Sequence, residues 1–233
     1  MHKAALLIDF GKPLQIGHIS TPTVKDYEVL VKVVGAGICH TDIHVWKGER
    51  KVAGIPPRLP FILSHEISGV VVAKGDKVPE IIKEGQKVLV YPWQWREEDK
   101  YTMKGLHLAD KPAWLGMYVD GGLQEYVLVG HYKFLVDANG LEDLPAASTL
   151  GCAGLTTYRA VKKIVPYLEP DDYVAIVGVG GLGVYAAQWL KTLAPHVNTV
   201  FVDIRDQAIE FASKIVKPYA VVNVSKEEPI QAL

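Results

Sequence analysis

Three short segments of the 233-residue chain carry side chains that ligate metals. They are Gly37-Ile38-Cys39-His40-Thr41-Asp42-Ile43-His44, Ser64-His65-Glu66-Ile67-Ser68-Gly69 and Gly151-Cys152-Ala153-Gly154. Together they offer two thiolates and an imidazole. Cys39, His65 and Cys152 are a soft sulfur and nitrogen set, suited to Zn²⁺ with one coordination position left open. Spacing alone leaves other readings standing: a buried thiol at each cysteine and a structural histidine at His65. The chemistry at stake is Lewis acidity. Zinc lowers the pKa of bound water from about 15.7 to about 7, an effect worth roughly 12 kcal/mol.

A fourth segment has a different use. Gly178-Val179-Gly180-Gly181-Leu182-Gly183 is G-x-G-x-x-G, set between a strand-like run and a helix-like one. Gly178 permits the tight turn, Gly180 lets a pyrophosphate approach the backbone, and Gly183 allows close helix packing. The helix N-terminus around Gly181 and Leu182 stabilises the phosphate charge. Asp203 ends the next strand-like run, 20 residues beyond Gly183. A carboxylate there accepts hydrogen bonds from both ribose hydroxyls and repels a 2′-phosphate, which favours NAD over NADP. Arg205 is the one neighbour that opposes this preference.

The elements that must hold these groups fall into two patterns. Residues 4–8, 28–38, 67–75, 87–92 and 123–130 are apolar or β-branched runs bounded by Gly, Pro and Asp, the pattern of a mostly antiparallel, barrel-like β domain. An irregular excursion of mixed charge lies between Tyr91 and Trp114. Helix signals fill 144–165, and from Tyr173 strands alternate with helices of about 12 residues, which argues for a parallel sheet with right-handed crossovers. Ala186, Ala187, Leu190 and Leu193 form the expected buried stripe of the first crossover helix.

Composition bounds the partners. A formal charge of −1 provides no field for nucleic acid, and 49% hydrophobic with 22% charged residues suits a soluble protein acting on a small molecule. No apolar run approaches the roughly 20 residues of a membrane span, and Asp9 and Gly11 end the N-terminal apolar stretch too soon for a signal peptide. With only two cysteines and no disulfide framework, the expected location is cytoplasmic.

His65-Glu66-x-x-Gly69, followed by Gly75, completes H-E-x-x-G-x-x-x-x-x-G, and both cysteines stand on ligand positions. In these motifs the whole chain resembles the zinc-dependent medium-chain alcohol dehydrogenases, which join a GroES-like catalytic domain to a Rossmann domain. Ser64 stands where that family usually has glycine. The resemblance implies an α/β protein with a mostly β domain: a GroES-like β-barrel over 1–143, then a partial doubly wound Rossmann sheet over 144–233 with only its first three strands. It implies one catalytic Zn²⁺ on Cys39, His65 and Cys152, and NAD as the hydride acceptor. Thr41 would bond the substrate oxygen, and His44 would end the proton relay through the ribose. Asp42 would orient the histidine ligand, Glu66 would approach or tune the metal, and His40 would face the pyrophosphate. Trp93 and Trp114 would border a pocket for a bulky or aromatic alcohol.

Two departures matter. Many relatives hold a second, structural zinc in the excursion on closely spaced cysteines. Here the excursion offers only Glu97, Glu98, Asp99, His107 and Asp110, so no structural zinc is expected. The chain also ends after three of the six expected Rossmann strands, which reads as a C-terminal truncation. The first strand would then be an edge exposing Ile176 and Val177. The homo-oligomer usual in the family would lack its dimer strand, and a complementing C-terminal polypeptide becomes a candidate partner. Two other readings stand beside the dehydrogenase: a zinc-free, quinone-reductase-like member of the superfamily, and a zinc- or nucleotide-binding remnant without catalysis.

Overall fold

The structure is a computed structural model describing residues 1–104 and 108–226; His107 lies outside the described residues. The chain divides into two compact units, Met1–Cys152 and Ala153–Leu233.

In the first unit, β1 (His2–Leu6) and β2 (Gln15–Ile19) form a hairpin. The remaining strands are β3 (Val29–Gly37), β4 (Glu66–Lys74), β5 (Lys87–Val90), β6 (Tyr126–Val129) and β7 (Leu135–Asp137). They build an antiparallel sheet in the order β6-β3-β4-β5-β7. Isolated bridges from Ala4 to Gln124 and from Leu7 to Phe61 tie the hairpin in. The period of two decides the packing. Val88 and Val90 of β5, and Val127 and Val129 of β6, point inward with Val29, Val31 and Ile67. Each such buried side chain stabilises the fold by about 1.5–3 kcal/mol. Register shifts in the β3–β4 ladder, between Leu30 and Val31 and between Val33 and Gly35, bend the pair toward the end of β3. All five expected strands are present. β2 and β7 escape a sequence reading because β2 has no buried residue and β7 is only 3 residues long.

A single helix α1 (His40–Trp46) follows β3. The helical signal over 144–165 resolves into α2 (Leu144–Ala147), a 3₁₀ turn over Ser148–Gly151, and α3 (Ala153–Ile164). The break falls on Cys152, at φ −125° and ψ −70°. The compact units therefore part at Cys152, beyond residue 143, because α2 stays with the β unit. Ser68 Oγ donates to the Leu144 carbonyl at 2.6 Å.

The second unit runs α3, β8 (Tyr173–Val177), α4 (Gly181–Leu193), β9 (Asn198–Asp203), α5 (Asp206–Ile215) and β10 (Ala220–Asn223). The strands are parallel in the order β10-β9-β8. α4 buries Ala187 and Leu190, while Ala186 and Leu193 are partly buried against the same core. Among the described residues β8 is an edge strand. Alternation sorts its apolar residues: Val177 is 81% exposed, but Ile176 is only 9% exposed and belongs to the core, contrary to the expectation that both would be uncovered. Among the described residues no helix is long and apolar enough to cross a membrane.

Candidate metal centre and cofactor loop

Cys39 lies just past β3 and is the N-cap residue of α1, with extended backbone at φ −86° and ψ 157°. Its N–H donates to Asp42 Oδ2 at 2.9 Å. The other Asp42 oxygen accepts the Ser64 N–H at 2.9 Å and lies 3.4 Å from His65 Nδ1. One buried carboxylate thus joins the start of α1 to the residues entering β4. Ser64 has φ +77°, a conformation unusual for a residue with a Cβ, and its hydroxyl donates to the Gly37 carbonyl at 2.9 Å. This turn aims His65 inward, and Cys152 arrives from the other side at the helix break.

The ligating atoms of Cys39, His65, Glu66 and Cys152 all lie within 4.8 Å of one another. His65 is 0% exposed, yet neither ring nitrogen has a hydrogen-bond partner. The 3.4 Å approach of Asp42 is electrostatic proximity out of line for a hydrogen bond. A fully buried imidazole with both nitrogens unmatched calls for a group to satisfy it, and the donor set beside it is that of a zinc site. The electrostatics agree. The Cys152 thiol and the His65 ring beside the Cys39 sulfur favour its thiolate and, against the opposing effect of burial, lower its pKa to about 3. Burial pushes His65 down, but Asp42 and the Cys39 thiolate outweigh it and raise the ring to about 9.

Glu66, 3% exposed, belongs to the cluster as its fourth donor, an oxygen beside two sulfurs and a nitrogen. A Cβ on Gly37 would fall on its carboxylate, so β3 needs glycine there. Trp93 packs on the His65 ring at 5.5 Å between centroids and meets Trp114 edge-on at 5.3 Å. Both indoles and Thr41 line a cavity of about 300 Å³, at the small end of the range for ligand sites. His44 pairs through Nδ1 with Glu49, and the His40 ring meets His44 edge-on at 4.7 Å. Glu49 has no sequence signal beyond its place five residues after His44.

In the second unit the glycine loop joins β8 to α4. Gly178 has φ +87°, and a Cβ on Gly183 would collide with the Gly178 carbonyl, so the first and last glycines are required by the turn and by the close approach. Gly180 is the N-cap residue of α4, and Gly181, Leu182 and Gly183 form its first turn. Asp203, at the end of β9, holds this loop directly: Oδ2 accepts the Val179 N–H at 2.9 Å, and Oδ1 accepts the Arg205 N–H at 3.0 Å. Burial pushes the Asp203 carboxyl up, but the Arg205 and Val179 amides more than offset this and keep it below the usual carboxylate range. That anchoring role was not visible in the motif spacing.

The excursion is organised by Asp99. Its Oδ1 accepts the Tyr101 and Thr102 amides at 2.8 and 2.9 Å, and its Oδ2 accepts the Asp110 amide at 2.8 Å. Glu97 faces Lys111 at 2.7 Å, and Glu98 pairs with Lys133.

Residues 25–140 match the alcohol dehydrogenase GroES-like domain. The NAD-dependent alcohol dehydrogenase of Saccharolobus solfataricus is 39% identical over 98% of this chain and 66% of its own length. That of Sulfurisphaera tokodaii is 38% identical over 99% of this chain and 67% of its own. The crystal structure of the Aeropyrum pernix alcohol dehydrogenase superposes with a TM-score of 0.86 at 30% identity, over 98% of this chain and 66% of that one. The chain thus spans about two thirds of the length of the relatives it matches.

Proposed function

The chain belongs to the family of medium-chain alcohol dehydrogenases, and we propose that it serves a zinc-dependent oxidoreductase that interconverts an alcohol and an aldehyde or ketone by hydride exchange with NAD. The carrying observation is the buried His65 ring, unmatched at both nitrogens and surrounded by Cys39, Cys152 and Glu66. Cys39, His65 and Cys152 would hold the ion, with Glu66 within reach. When bound, zinc supplies Lewis-acid stabilisation of the negative charge that develops on the substrate oxygen. Asp42 fixes the Cys39 and Ser64 backbones and faces the His65 ring, so the protein contributes preorganised ligands. The Thr41 hydroxyl, on the cavity wall, would accept the hydrogen bond of the substrate hydroxyl and release its own proton outward as it takes the substrate's, staying neutral throughout. His44, held by Glu49, would pass a proton on to solvent. The α4 N-terminus receives the pyrophosphate, with His40 as a further contact, and Asp203 recognises the adenosine ribose while it anchors the loop.

The reading includes one zinc per chain. The carboxylates of Glu97, Glu98 and Asp99 in the excursion already accept backbone amides or face lysines, which suits a lobe held together without a second ion. It includes NAD over NADP, on account of Asp203, and a cytoplasmic setting, which suits two cysteines that are thiols and not a disulfide. A zinc-free, quinone-reductase-like reading leaves the His65 ring unexplained.

The test combines metal analysis of the purified chain with alcohol-dependent NADH formation. About one equivalent of zinc and measurable turnover are expected. Cys152→Ala should abolish both, while NAD binding at the Gly178 loop survives. Unchanged zinc in that variant would overturn the ligand assignment; zinc and nucleotide binding without turnover would support the non-catalytic reading.

A further inference from the structure

The cavity beside the metal centre carries a feature that the family assignment does not absorb. Its walls include Val45, Ile55, Trp93 and Trp114, an apolar and aromatic lining into which one full charge is built, that of Arg50. Arg50 is exposed and lies on the turn between α1 and the short 3₁₀ helix Lys51–Ala53, where its backbone carbonyl accepts the Ala53 and Ile55 amides. No carboxylate pairs with its guanidinium among the described residues: Glu49, next to it, is engaged by His44 and Lys47. The Thr41 hydroxyl is a second polar group on the wall. The lining therefore offers a permanent cation with no acidic side chain opposite it.

A planar guanidinium with free donors matches a carboxylate in two-point fashion. Thr41 sits in the first turn of α1 and Arg50 beyond its last turn, so the two polar groups reach the lining from opposite ends of that helix.

We propose that this pocket selects alcohols or carbonyl compounds bearing a carboxylate remote from the reacting carbon, with Arg50 as the specificity-determining residue. The inference rests on the dehydrogenase reading for the direction in which the substrate lies: hydroxyl toward Thr41, carboxylate toward Arg50. A neutral alcohol of the same shape enters the pocket but leaves Arg50 without an acceptor.

Binding to the 233-residue chain is read from quenching of tryptophan fluorescence, since two of its five tryptophans line the cavity. The probes are 4-(hydroxymethyl)benzoate and its isosteric neutral amide, 4-(hydroxymethyl)benzamide. The acid is expected to bind about tenfold more tightly than the amide, a difference of about 1.4 kcal/mol. In Arg50→Leu the acid-to-amide ratio should fall to about one, and in Arg50→Lys it should stay above that of the leucine variant. Far-UV circular dichroism checks that both variants fold. Equal affinity of the two probes in the unmodified chain, or a preference that survives Arg50→Leu, overturns the proposal. NADH formation from benzyl alcohol separates the two levels. Turnover of benzyl alcohol with no acid preference sinks the charge selection alone. No binding of either probe together with no turnover sinks the dehydrogenase reading as well.

Discussion

His65 carries more of the functional argument than any other residue. Burying an imidazole with neither nitrogen matched costs free energy that a metal ion recovers, and the same ring sets the pH dependence of the site. The Cys39 thiol ionises at about 3, so near neutral pH it releases no proton to an incoming ion. His65, raised to about 9, must lose one. Below about 9 the ion competes with that proton, and affinity falls as pH falls. Zinc affinity, measured by competition with a chelator, should therefore weaken at least about a hundredfold from pH 8 to pH 6, two units at one proton per ion. A flat profile would show that the ring does not ligate. The same sign governs the metal-free protein. A folded-state pKa above the unfolded value stabilises the fold at low pH, and that contribution is lost as pH rises through about 9.

At the level of elements, the site depends on three interruptions of regular structure. β3 ends at Gly37, the chain enters β4 through Ser64 at positive φ, and the helical run after 144 breaks at Cys152. Asp42 joins the first two by accepting the Cys39 and Ser64 amides from a side chain that is 2% exposed. Asp42→Ala removes two charge-assisted hydrogen bonds and leaves both amides unmatched, a loss of roughly 3 kcal/mol. A fall in Tm of about 10 °C is expected for a chain of this size, along with zinc binding weaker by about 10- to 100-fold. Thermal unfolding and chelator competition on the same variant check the two effects. Lost zinc affinity at unchanged Tm would mean that Asp42 tunes the ligand without holding the backbone. The sequence marked Asp42 only through its likeness to a family position; the dual acceptor geometry needed the fold.

For the molecule as a whole, the open question is the edge of the parallel sheet. Among the described residues β8 pairs on one side only, and Tyr173 and Val177 are 62% and 81% exposed. An edge with a large exposed apolar residue is a template for pairing with another chain. The isolated 233-residue chain is therefore expected to self-associate, and Val177→Lys should lower its apparent mass in light scattering without changing its zinc content. A monodisperse unmodified chain would show that the edge is protected.

The residues themselves determined the classes of element and the chemistry on offer. Alternation in 87–92 and 123–130, helical spacing through α4, the glycine loop and the Cys, His, Cys set are local patterns, and local patterns follow from backbone period and side-chain type. Convergence is not local. Whether Cys39, His65 and Cys152 meet depends on bulges in β3, a left-handed Ser64 and a broken helix, each fixed by contacts between residues distant in the chain. The placing of Ile176 in the core and Val177 outside, the grip of Asp203 on the glycine loop, and the meeting of Arg50 and Trp114 around one cavity were settled the same way. Tertiary packing decides which side of an element is covered and which polar group finds a partner, and neither quantity is a property of a stretch of sequence.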